Sequence, residues 1–289
     1  MRWLITGAGG QLGTDLQPAL SGFGEDVRAL THSELDIADS TAVAKALADF
    51  APDVVVNAAA YTAVDAAESD EDAAHRVNVI GPATIATALA GRGGRLIQVS
   101  TDYVFAGDAS VPYEVDDPTG PRSAYGRTKL GGEQAVRGLL PDASYVVRTA
   151  WVYGATGGNF VKTIARLERE RDTISVVDDQ RGAPTWSADL AVALVELGRS
   201  AASPGIYHCT NAGDTTWFGF ARAIFDELGA DPARVLPTTT DAFPRPAPRP
   251  AYSVLSDAAR QAAGLSPMPH WHDALRRAFA TSGDALGAR

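Results

Sequence analysis

Short apolar runs alternate with stretches of helical periodicity through the first half of the chain, the pattern of βαβ units that build a parallel sheet. Trp3–Thr6, Val27–Leu30, Val54–Asn57, Leu96–Ser100 and Tyr145–Arg148 read as strands. Gln11–Leu20, Thr41–Phe50, Glu71–Ala90 and Ala124–Gly138 read as the helices between them, with Ser40 the expected N-cap of the second. Right-handed crossovers wind such a sheet doubly, so the fold class expected is α/β.

Beyond residue 150 the order loosens. Phe160–Arg169 and Ala188–Ser200 look helical, Ile174–Val177 and Ile206–His208 strand-like, and Phe218–Leu228 and His272–Ala280 helical again. The division expected is a dinucleotide-binding domain over 1–150, to which a segment near 170–200 returns, and a smaller substrate lobe over 151–289. From Phe243 to Pro250 proline stands at every second position from Pro244 onward, which rules out helix or central strand and leaves an extended, stiff loop.

The first strand runs straight into Gly7-Ala8-Gly9-Gly10-Gln11-Leu12-Gly13, which opens the first helix. Glycines spaced this way allow a tight turn, bring the backbone close to a pyrophosphate and leave the helix N-terminus facing the anion, so the sheet is expected to be of Rossmann type. Leu30-Thr31-His32-Ser33, at the end of the second strand, has no carboxylate for ribose hydroxyls. The gap tolerates a 2′-phosphate, with Arg28, Thr31, His32 or Ser33 as contacts, and inclines the reading to NADPH over NADH. Asp36 and Ile37 are expected against the adenine. The small residues after Asn57, Ala58, Ala59 and Ala60, let a flat cofactor lie near the backbone.

Tyr125 and Lys129 stand four apart, hence on one helical face. A phenol is a poor acid near neutrality, and a neighbouring ammonium is expected to lower its pKa toward the working range. Ser100 closes the fourth strand, at the sheet end where α/β proteins hold ligands, and the hydroxyl of Thr101, just beyond it, is favoured to bond a substrate carbonyl and the tyrosine oxygen, with Ser100 the other candidate.

Composition changes this picture little. The 289 residues carry 35 acidic and 25 basic side chains, a formal charge of −10, with no basic run for nucleic acid. Cys209, the single cysteine, excludes an intrachain disulfide. The apolar start is too short for a signal peptide or a membrane span, so a cytoplasmic protein is expected. Asp65 and Glu68 are read as a solvated face near the site, and His270-Trp271-His272 as structural.

The glycine loop, Asn57–Asp65, Ser100-Thr101-Asp102-Tyr103-Val104-Phe105, Tyr125–Lys129, Arg148–Gly154, Asp179–Thr185 and Arg249-Pro250-Ala251-Tyr252-Ser253 together resemble the motifs of the dTDP-4-dehydrorhamnose reductases, a family of extended short-chain dehydrogenases. The resemblance implies reduction of the 4-keto group of dTDP-4-dehydro-6-deoxy-L-mannose by NAD(P)H. It implies Thr101, Tyr125 and Lys129 as catalytic and Asp102 and Tyr103 beside the nicotinamide and sugar. Trp151 would pack on the sugar, while Asn159, Arg249 and the Gly182, Pro184 and Thr185 loop would hold the nucleotide diphosphate. Another dTDP-4-keto-6-deoxysugar, or a non-catalytic regulatory subunit of the same fold, are the alternative readings. Some similar proteins bind a divalent cation between subunits. Here only Asp15 and Asp189, with shorter reach, stand at comparable places, so Mg²⁺ and a homodimer stay open and no metal ligand is assigned.

Overall fold

The computed structural model describes residues 1–288. Its centre is a six-stranded sheet of β1 (Arg2–Thr6), β2 (Asp26–Leu30), β3 (Val54–Asn57), β4 (Arg95–Thr101), β5 (Ser144–Thr149) and β6 (Gly205–His208), all parallel, in the order β6-β5-β4-β3-β1-β2. The order reverses at β1, where the chain first builds outward to β2 and then returns to add β3. Ligands of open α/β sheets bind at the carboxyl ends of the strands at such a reversal.

Strands buried on both faces need apolar residues throughout, and Val54, Val55 and Val56 are fully buried. Alternation along β1 sends Trp3 and Ile5 to one face and Leu4 to the other. The first face is covered by α1 (Gln11–Gly22), through Leu12, Leu16 and Leu20, together with Leu190 and Leu194. The second is covered by α2 (Ser40–Phe50) and α3 (Gly81–Ala90), through Leu47, Ile85 and Leu89, and by Val136 of α4 (Ala124–Leu139). At the sheet's end Thr6, Asn57 and Gln98 stand side by side on β1, β3 and β4. Thr6 Oγ1 donates to Asn57 Oδ1 at 2.5 Å and Asn57 Nδ2 to Gln98 Oε1 at 2.7 Å, so three buried polar groups satisfy one another.

Two local expectations are corrected. Asp39, not Ser40, caps α2, its Oδ1 accepting from the N–H groups of Thr41 and Ala42. The expected helix over 71–90 is broken by a π-helical turn, Arg76–Ile80, between Glu71–His75 and α3. Pro82 has no N–H to give the Asn78 carbonyl, which would be its partner four residues back. Gly132 of α4 packs against that carbonyl, where a Cβ would collide.

The second half contributes α5 (Phe160–Glu170), α6 (Ser187–Arg199), α7 (Trp217–Glu227) and α8 (Trp271–Leu286). α6 packs on α1, and β6 extends the main sheet beyond β5. Ile174–Val177 pairs instead with Val235–Thr238, over a second core of Val161, Ile164, Phe220, Phe225 and Phe279. His270 Nδ1 accepts from His272 N and so caps α8.

His208, at the end of β6, is buried with its ring edge-on to Phe105 and Nδ1 at 3.0 Å from the Ser256 carbonyl oxygen. Burial, with the Arg148 charge adding to it, pushes its pKa down from 6.5 to about 4. The unfolded chain therefore binds more protons than the native one between these values, so native stability is complete above pH ~6.5 and is lost as pH falls toward ~4. Replacing His208 by asparagine is expected to flatten the dependence of Tm on pH in that window. An unchanged slope in thermal melts would show that the acid sensitivity lies elsewhere.

Candidate active site

Strand β1 ends in the glycine turn, and Gly7 sits at φ +70°, in the left-handed region. A Cβ on Gly7 would lie 2.6 Å from the Ala59 nitrogen, so the turn rests on the backbone that follows β3. Gly9 and Gly10 are exposed, Gln11 is half-buried, and Leu12 and Gly13 pack inward under the turn. Gly10 caps α1 without any side-chain bond, which leaves first-turn N–H groups for an outside acceptor. Ala58, Ala59 and Ala60 are half-buried beside it. The turn, the start of α1 and the residues after β3 thus lie together, with backbone N–H groups facing outward.

Beyond the end of β2 the side chains make contacts of their own. Asp36 receives Arg76 at 2.6 Å and the Ala38 N–H at 2.9 Å, which together hold its carboxyl below the usual range, and Ile37 is buried against Gly81. The turn after β2 does hold a carboxylate, one residue beyond Ser33: Glu34 Oε2 accepts from Thr31 N at 2.8 Å and Thr31 Oγ1 at 2.7 Å.

Thr101, Tyr125 and Lys129 meet at the end of β4. Ser123 caps α4 through the Gly126 N–H, and Glu68 Oε1 accepts from the Ala124 N–H at 2.8 Å, so the first turn that carries Tyr125 is held at two points. Gly126 lies so close to the Tyr103 carbonyl that any Cβ would collide. That approach brings the Tyr103 and Tyr125 rings edge to face, 5.6 Å apart. Lys129 is buried and donates from Nζ to the Val99 carbonyl at 2.6 Å. Thr101 Oγ1 donates to Asp102 Oδ1 at 2.9 Å and accepts from Tyr103 N.

The electrostatics differ from the expectation of a lowered phenol. Burial pushes Tyr125 up to about 12, opposed by its hydrogen bond with Thr101 and aided by the Asp102 charge. Burial also pushes Lys129 down to about 8, while the Glu133 carboxylate, one turn further along α4, pulls it up. Asp102 is raised to about 6 by burial, against the pull of the Ser253 and Thr101 hydroxyls. The cause of the difference is desolvation: the ammonium points to a backbone carbonyl, and both groups lose water together. A phenol in this state is a firmly protonated donor.

The remaining expected residues surround this centre. Trp151 adopts φ +47°, an uncommon conformation for a bulky side chain, and stacks on Trp217 with centroids 3.5 Å apart while Gly182 lies against its indole. Asn159 caps α5 through the Lys162 N–H and donates to Gln11 Oε1 at 3.0 Å, which joins the C-terminal lobe to the glycine turn. Thr185 is buried, its N–H donating to the Trp151 carbonyl and its hydroxyl to the Ala183 carbonyl; Pro184 precedes it. Arg249 stands beside Tyr103 in the proline-rich loop. Asp189 is taken by Asn211 and Arg277, and Asp15 by Ser187. Among the described residues no three acidic, histidine or cysteine side chains group as a metal site. No helix among them is long and apolar enough to cross a membrane.

Several partners escaped the sequence reading. Asp65 is half-buried and binds Arg245 and Arg249, while Glu68 is solvent-exposed as expected yet also holds α4 through the Ala124 N–H. Trp217 and the buried pair Glu133–Arg148 carried no local signal. Asn78, in the π-turn, holds both backbone groups of Tyr61 and donates to Thr128 of α4.

A model of the RmlD substrate binding domain family matches residues 1–283. A dTDP-4-dehydrorhamnose reductase of Streptomyces griseus is 54% identical over 282 residues, 96% of this chain and 93% of that protein. A probable dTDP-4,6-dihydroxy-2-methyloxan-3-one 4-ketoreductase of Streptomyces antibioticus is also 54% identical, over 96% of this chain and 95% of its own length. The solved dTDP-4-dehydrorhamnose reductase of Bacillus anthracis, in complex with NADP, superposes with a TM-score of 0.93 at 40% identity over 97% of this chain and 99% of that one.

Proposed function

The chain belongs to the RmlD family of dTDP-4-dehydrorhamnose reductases, and from that premise we propose how its residues divide the work of reducing a dTDP-linked 4-keto-6-deoxysugar with NAD(P)H. It is an oxidoreductase, and the product of the proposed reaction is dTDP-L-rhamnose. The glycine turn and the uncapped start of α1 hold the dinucleotide's pyrophosphate, and Ala58–Ala60 lie under its flat part. When bound, the reduced nicotinamide supplies hydride.

Tyr125 then gives its proton to the sugar's carbonyl oxygen. A phenol held near 12 keeps that proton at neutral pH, yet is acidic enough to lose it to a developing alkoxide. Lys129 stabilises the phenolate left behind, its ammonium fixed by the Val99 carbonyl. Thr101, whose hydroxyl donates to Asp102 in the resting structure, turns that proton to the same substrate oxygen as negative charge develops there. Arg249 suits the diphosphate because its planar fork donates two charge-assisted hydrogen bonds. What carries the reading is the meeting of Thr101, Tyr125 and Lys129 at the carboxyl end of β4, close to the sheet's reversal.

Enzymatically made dTDP-4-dehydro-L-rhamnose should be consumed together with NADPH or NADH; no turnover with either nicotinamide would reject the activity. The likeness to the Streptomyces antibioticus ketoreductase favours a second reading, reduction of a different dTDP-ketosugar. Product identification by NMR after incubation with several such sugars separates the two.

A further inference from the structure

Asp65 belongs to the short helix Val64–Ala67, and 180 residues later Arg245 and Arg249 come to meet it. Arg245 grips Asp65 Oδ2 with Nε at 3.0 Å and Nη2 at 2.6 Å. Arg249 Nη1 reaches Asp65 Oδ1 at 2.9 Å, and the Ala247 N–H donates to the same oxygen at 3.2 Å. All these donors come from Arg245-Pro246-Ala247-Pro248-Arg249. Proline leaves this strap few backbone donors of its own, and its extended shape makes no internal ladder. One carboxylate therefore fixes the strap where it faces Tyr103 and Phe105 across a cavity of about 50 Å³.

The charges do not cancel. Two guanidinium groups share one carboxylate, so the cluster keeps a net positive charge. Arg249 spends Nη1 on Asp65 and on the Ala247 carbonyl, and neither contact uses its Nε–Nη2 edge. That edge is the half of the fork that makes paired bonds to phosphate oxygens. Arg249 is 17% exposed and Asp65 25%, whereas Arg245 is 59% exposed.

We propose that Asp65 and Arg245 are positioning residues for the substrate's nucleoside diphosphate: together they preset the strap so that Arg249 meets the diphosphate without first being ordered. The inference rests on the nucleotide-sugar reading above. Preorganisation acts on binding and not on proton transfer, so its loss belongs in KM.

The test uses dTDP itself, with calorimetry on the whole protein. Arg245→Ala and Asp65→Asn are each expected to weaken dTDP binding by about five- to twentyfold, the range of one lost charge-assisted contact. KM for the ketosugar should rise by a similar factor while kcat stays within about twofold and NADPH affinity is unchanged. Asp65→Glu, which keeps the carboxylate, should recover much of the loss. Unchanged dTDP affinity in both variants would overturn the proposal, and so would tighter binding by Asp65→Asn, which would make Asp65 a competitor for Arg249. If the unaltered protein fails to bind dTDP, the nucleotide-sugar reading falls instead.

Discussion

Phenylalanine in place of Tyr125 is expected to lower kcat by about 10²- to 10⁴-fold, the span that one general acid contributes, with NADPH affinity within about twofold of the unaltered protein. The substitution removes an oxygen and keeps a ring in the same edge-to-face contact with Tyr103, so the packing of α4 on the Asp102–Val104 turn survives. The glycine turn Gly7–Gly13, proposed to hold the pyrophosphate, follows a different strand and loses nothing. A steady-state assay with nicotinamide fluorescence titration reads both quantities. Near-full turnover in the variant would mean that another group delivers the proton. Thr101 would then be the candidate, although its hydroxyl already donates to Asp102.

The raised phenol fixes the sign of a further consequence. Burial holds Tyr125 near 12 and Lys129 near 8, so across neutral pH the pair stands as protonated phenol and ammonium. That is the state needed for reduction. As pH climbs through about 8 the ammonium is lost first, and kcat should fall on the basic side before the phenol itself titrates.

Local spacing made the core of this site legible, and distance hid the rest. Tyr125 and Lys129 stand four apart on one helix, and helical geometry alone puts them on one face. The glycine turn followed a readable strand and opened a readable helix. By contrast, Glu68 meets the Ala124 N–H across 56 residues and Asp65 meets Arg245 across 180, and an acidic residue in a polar stretch has no local mark of a remote partner. Glu34 lies just past the strand end, and only the fold shows its carboxylate turning back on Thr31. The π-turn had one local clue, Pro82, whose missing N–H frees a carbonyl four residues earlier. The sheet's sixth strand was visible as Ile206–His208, but which sheet it joins depends on β5 offering an open edge.

Breaking the pair between Glu133 and Arg148 should cost about 3–5 kcal/mol, because each is 2% exposed and removal of one partner strands the other as a buried charge. Arg148→Met would leave the Glu133 carboxylate with the Ser100 hydroxyl, at 2.5 Å, as its hydrogen-bond donor. In a protein of this size Tm should then drop by roughly 10 °C, measured by thermal melting. The double variant Glu133→Leu, Arg148→Met replaces both charges with apolar groups and should regain most of that loss. Its activity should not return with its stability. Tyr125, Lys129 and Glu133 form one column along α4, and the Glu133 carboxylate pulls the Lys129 pKa upward against burial. Without it Lys129 sinks below about 8, the ammonium fraction shrinks at neutral pH, and the basic limb of the kcat profile moves to lower pH. A double variant that folds well and keeps its basic limb in place would separate the buried pair from the chemistry and leave it a device of the fold alone.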